Sequence, residues 1–110
     1  MEAKVKLFIK KDNEDCIRME NILKELGVRL EVIETWKTKY KKQCKEFCVN
    51  ERNVPFMFFI STDEKKTLYS TNVNNFSKRE IKGIICSLKD HYGKNIFGQI
   101  ENKGENNDVD

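Results

Sequence analysis

The most constraining stretch of this 110-residue chain is Asn53-Val54-Pro55-Phe56-Met57-Phe58-Phe59-Ile60. It holds the single proline, and five large apolar residues follow it without a break. An apolar run of that length bounded by polar turns predicts a strand buried on both faces. Proline has no N–H to give to a ladder, so it belongs at the first residue of such a strand or on an edge. A fixed backbone shape is useful at that point, and a cis Val54–Pro55 bond is one such shape. The rest of the chain reads as scaffolding around this turn.

The flanking segments supply that scaffold. Val5, Leu7 and Ile9 alternate, with Phe8 on the other face, and predict a first strand. After the polar turn at 10–13, Cys16, Met19, Ile22, Leu23 and Leu26 recur at helical spacing. Asp12 or Asn13 is a suitable N-cap, Glu14 and Asp15 suit the first turn, and Gly27 marks the stop. Val28, Leu30 and Val32 alternate with Arg29, Glu31 and Ile33 as a second strand. Short connections then make the two strands parallel through a right-handed crossover. Trp36, Tyr40, Cys44, Phe47 and Cys48 predict a second amphipathic helix ending near Asn50. Beyond the proline strand, a turn at 63–66 leads to a short return strand, Thr67–Ser70. Ser77 with Glu80 three residues on is a capping box for a last helix, whose apolar face is Ile81, Ile84, Ile85 and Leu88. The order is βαβ-α-ββ-α, a four-stranded mixed sheet flanked by helices. The domain is expected over residues 1–92. Residues 93–110 form an extension, disordered from about 101, in which Ile96, Phe97 and Ile100 are the side chains able to dock.

Composition removes several classes of function. Lys and Arg are interspersed with Asp and Glu, and the net charge is only +3, so no nucleic-acid footprint is expected. No apolar segment approaches the roughly 18 residues of a membrane helix, so no membrane partner is expected. The start, Met1-Glu2-Ala3-Lys4, has no signal-peptide anatomy, which makes a cytoplasmic location the expectation. There the four cysteines, Cys16, Cys44, Cys48 and Cys86, are free thiols rather than disulfides. Cys44 and Cys48 are one helical turn apart, but a structural zinc needs four ligands and no second pair exists, so both are expected in the core. No metal site is expected.

The order of elements, with a proline opening the third strand, resembles the thioredoxin fold, and within it the glutaredoxin branch. Glutaredoxins read Phe-x-Lys-x-x-Cys-Pro-Tyr-Cys after the first strand. This chain reads Phe8-Ile9-Lys10-Lys11-Asp12-Asn13-Glu14-Asp15-Cys16. Phe8, Lys10 and the second cysteine, Cys16, match, while Asn13 stands where the family has its attacking thiol. Asn53-Val54-Pro55 falls on the family's Thr-Val-Pro. The resemblance covers roughly residues 4 to 92. It implies that the backbone of Val54, before Pro55, offers its N–H and C=O to an extended thiol peptide or to glutathione. It also implies that Lys10 and Asn13 lie at the same site. The family's Gly-Gly turn and its following Asp are replaced by Ser70-Thr71-Asn72-Val73-Asn74-Asn75, which weakens the case for glutathione.

Three functional expectations follow. The first is a binding or adaptor domain that docks a protein or thiol-peptide partner on Val54-Pro55, with no cofactor and no enzyme activity. The second is a monothiol redox protein, glutathione-dependent, with Cys16 as its reactive thiol. Glu14 and Asp15 would raise that thiol's pKa, and Cys16 is in phase with Met19 and Leu23, so a core position is favoured for it. The third is an interaction module similar to the N-terminal half of a glutathione transferase. Lys10 and Lys11 could attract a carboxylate, though surface lysines are common here, and Trp36 with Tyr40 belong to the core or its edge, or else stand partly exposed as an interface patch.

Overall fold

The fold is that of a computed structural model, which describes residues 2–63 and 65–98. The elements run β1 (Ala3–Ile9), α1 (Glu14–Glu25), β2 (Leu30–Glu34), a single 3-10 turn (Thr38–Tyr40), α2 (Lys41–Glu46), β3 (Phe56–Ser61), β4 (Thr67–Asn72) and α3 (Lys78–Tyr92). The four strands form one mixed sheet in the order β2-β1-β3-β4. β1 and β2 are parallel, in the register Val5↔Leu30 to Ile9↔Glu34. β3 is antiparallel to β1, with Phe8↔Phe56 as the last pair, and β4 is antiparallel to β3.

Alternation sorts the side chains between the two faces. Val5, Leu7, Met57 and Phe59 share one face and are fully buried. α1 buries Cys16, Met19, Ile22 and Leu23, and α3 buries Ile81, Ile85 and Leu88 in the same core. The two helices are tied by the Lys78–Glu25 ion pair at 2.7 Å and by Arg18, whose Nη1 donates to the Phe76 carbonyl at 2.6 Å. The opposite face carries Phe8 and Phe58, whose rings meet Phe47, just past α2, at centroid distances of 5.6 and 4.9 Å. Lys6 lies over the Phe47 ring at 5.1 Å and hydrogen-bonds to Gln43. β2 is anchored through Glu31, which accepts from Lys4 at 2.8 Å. Burial alone would raise the Glu31 pKa, but the Lys4 hydrogen bond and the Lys6 charge outweigh it and hold the carboxyl below its ordinary value.

The helix boundaries follow local chemistry. Asn13 caps α1, its Oδ1 accepting from the Cys16 N–H at 2.9 Å, and Gly27 at φ 69 follows the C-cap. Ser77 and Glu80 complete both halves of the capping box of α3. Ser77→Ala is expected to lower stability by about 1 kcal/mol in denaturant unfolding, the usual worth of an N-cap.

The second helix is shorter than the spacing predicts. Trp36 sits in a turn, and α2 stops at Glu46 instead of near Asn50. The cause is a helix stop with no glycine. Cys48 takes φ 57, its N–H reaches the Lys45 carbonyl at 3.2 Å, and the Val49 N–H reaches the Cys44 carbonyl at 2.9 Å. That pair of bonds is a Schellman motif, which satisfies the last carbonyls and ends the helix. It also turns Cys48 out to solvent and leaves Cys44 half-buried, so the expectation of two core cysteines is corrected. β2 begins two residues later than predicted, and β4 runs two residues further, to Asn72, because its pairing with β3 continues to Phe56. Ile96 and Phe97 do dock, at 1% and 2% exposure, with the Ile96 carbonyl accepting from the Ala3 N–H at 2.7 Å. The core therefore draws on residues beyond 92. Ile100 and the expected disordered tail from about 101 lie outside the described residues. Among the described residues no helix is long and apolar enough to cross a membrane.

Candidate functional site at one end of the sheet

The register gathers the candidate residues at one end of the sheet. β1 ends where β3 begins, since Phe8 pairs with Phe56. The turn at 10–13 and the N-terminus of α1 thus leave the sheet at the same end as Val54 and Pro55. The end of β2 is held there too, because the Thr35 N–H and hydroxyl both donate to the Ile9 carbonyl, at 3.1 and 2.8 Å.

The Val54–Pro55 peptide is cis. The loop before it is built by asparagines. Asn50 Oδ1 accepts from the Arg52 N–H at 2.8 Å, and Asn53 Oδ1 accepts from the Asn50 N–H at 2.9 Å. These are side chains imitating backbone turns. β4 then fixes the loop from outside: Asn72 Nδ2 donates to the Asn53 carbonyl at 2.7 Å, and the Val73 N–H donates to the Pro55 carbonyl at 2.9 Å. The carbonyls on either side of Val54 are therefore occupied. Among the described residues neither the N–H nor the C=O of Val54 itself has a hydrogen-bond partner. Val54 is only 6% exposed, so these groups are in a largely covered position. An unpaired backbone group so placed is a costly feature unless something else binds it.

Across from this turn the chemistry is muted. Asn13 spends its side-chain oxygen on the α1 cap. Cys16 is 0% exposed, in the core with Met19 and Leu23. Its Sγ accepts from the Lys10 N–H at 3.4 Å. Burial pushes the thiol pKa up, and Asp15 adds to the rise; the Lys10 N–H and ammonium charge pull the other way and lose. A thiol held protonated and covered is a poor nucleophile. Lys10 is half-buried and Lys11 exposed. The four cysteines are free, and among the described residues no cluster of three or more His, Cys, Asp or Glu side chains is placed to hold a metal ion.

Two contributors escaped the sequence reading. Asn72 pins the proline loop from 19 residues away, and Arg18 ties the loop after β4 to α1 through the Phe76 carbonyl. The local hint was the asparagine-rich stretch Asn72-Val73-Asn74-Asn75, a turn-forming composition.

No family model and no curated protein matches the chain. Its fold is similar to that of a solved structure described as that of a malarial protein, with a TM-score of 0.63 at 15% identity. The match covers 79% of this chain and 97% of that one. At that identity the likeness establishes a shared α/β fold with a four-stranded mixed sheet.

Proposed function

We propose that the chain is a thioredoxin-fold domain of the glutaredoxin branch that binds an extended protein or peptide segment on Asn53-Val54-Pro55 without thiol–disulfide chemistry. The sheet order β2-β1-β3-β4, with a strand, helix, strand unit first and a proline opening β3, supports the branch assignment. The observation that carries the functional reading is the pairing of opposites at one end of the sheet. Val54 has an uncommitted N–H and C=O, while Asn13 and Cys16, where the family has its two thiols, are consumed by a helix cap and by the core. A strand-like segment pairing with Val54 would satisfy both of its groups at once. Glutathione is a weak candidate, because residues 70–75 offer no carboxylate for its amine.

Peptides selected from a random-sequence display library against the full chain, then titrated by 15N NMR, test this reading. Perturbations are expected on Asn53, Val54 and the 10–13 turn. Failure to select any peptide, or perturbations that avoid Val54, would contradict it.

A further inference from the structure

The two edges of the sheet are built differently. β2 carries Glu31 and Glu34, both engaged by lysines, and charge of this kind blunts an edge against pairing. β4 carries neither charge nor proline along Thr67-Leu68-Tyr69-Ser70-Thr71-Asn72. Its one irregularity is the register shift opposite Phe59/Ile60, which skips Leu68 and leaves Tyr69–Asn72 regular. The Val73 N–H points at β3, to the Pro55 carbonyl. By alternation Thr71 and Tyr69 also turn their amides toward β3, and Ser70 and Asn72 present theirs to the outside.

Beside this edge runs a groove of about 580 Å³ whose walls include Tyr69, Phe76, Ile84 and Leu88. Tyr69 is 42% exposed. The α3 side of the groove also has Gly83 and Ser87, and a Cβ at Gly83 would meet nothing within 4 Å. An open edge, an exposed aromatic ring and a flat helix stripe with small residues lie on one side of the molecule.

We infer that this side is a self-association surface on which a second copy of the chain pairs β4 with β4, antiparallel about a two-fold axis through Ser70. Only a register that keeps like faces together is compatible with such an axis, and Ser70 opposite Ser70 meets that condition. It lets the outward N–H and C=O of the two Ser70 residues pair with each other. It places Tyr69 opposite the partner's Thr71, on the groove side. Lys66 falls opposite the partner's Asn74, so no like charges meet along the strands. The result is one eight-stranded sheet, with the two α3 helices antiparallel over the junction. Each groove is closed by the other copy's helix, and Gly83 and Ser87 allow close approach. A second copy is favoured over a foreign strand because the Ser70 register lets the edge satisfy its own hydrogen bonds and sets no like charges opposite each other along the strands.

Sedimentation velocity of the full chain over a concentration series tests the proposal. The weight-average mass is expected to rise to twice the monomer mass. Hydrogen exchange at Ser70 and Asn72 is expected to slow in parallel. Gly83→Arg and Tyr69→Lys are both expected to give monomers with unchanged circular dichroism. Arginine has a better helix propensity than glycine and its Cβ would meet nothing within 4 Å, so that variant is expected to keep the fold. A chain that stays monomeric throughout, with exchange at Ser70 unchanged, would overturn the proposal. So would a dimer that both substitutions leave intact.

Discussion

Phe97→Ala will destabilise the folded chain by about 3–5 kcal/mol, the usual cost of emptying a buried phenylalanine site. Phe97 lies after the last helix in a segment that sequence patterning places outside the domain. Yet its ring is buried and meets Phe59, at the centre of β3, with centroids 5.5 Å apart. Phe59 has little else of aromatic character on that face beyond Tyr69 at 6.2 Å. Against a total stability of about 5–15 kcal/mol, losing Phe97 removes a large share. Urea unfolding followed by circular dichroism is the check. A change below about 1 kcal/mol would show that residues 93–98 only rest on the core.

The second large effect concerns thiol reactivity. Folded protein treated with iodoacetamide near neutral pH should lose Cys48 and Cys86 quickly, since both are exposed. Cys16 should react at least about a thousandfold more slowly, because its modification waits for an opening that costs several kcal/mol. The sign of the pKa shift adds to this. Burial raises the folded-state value, so the thiolate fraction at neutral pH is lower than in an unfolded chain. By linkage, the stability tied to this protonated thiol is complete below its unfolded pKa of about 8.5 and is lost as pH rises through the folded value. Mass spectrometry of partly alkylated protein gives the rates site by site. Equal rates for Cys16 and Cys48 would refute the buried placement.

Features set by periodicity or by a local cap were legible in the sequence. The apolar run from Phe56 is β3, the three- and four-residue spacing of Cys16, Met19, Ile22 and Leu23 is the buried face of α1, and Ser77 with Glu80 caps α3. Features set by distant partners were not. The polar residues Thr71 and Asn72 extend the predicted strand only because β3 is there to pair with them. The stop at Cys48 needs a left-handed residue, and the usual marker for one, glycine, is absent. The site divides the same way. The position of Pro55 and the cap at Asn13 were readable. The Asn72 clamp on Asn53, beside which the N–H and C=O of Val54 stay uncommitted among the described residues, depends on tertiary pairing.

Turnover is the most direct test of binding without thiol chemistry. The full chain would be assayed for glutathione-dependent reduction of the hydroxyethyl mixed disulfide, beside its Cys16→Ser variant. Both are predicted to run at the rate of buffer with glutathione alone. Wild-type turnover well above that background, abolished by Cys16→Ser in a variant that keeps its fold, would contradict the account.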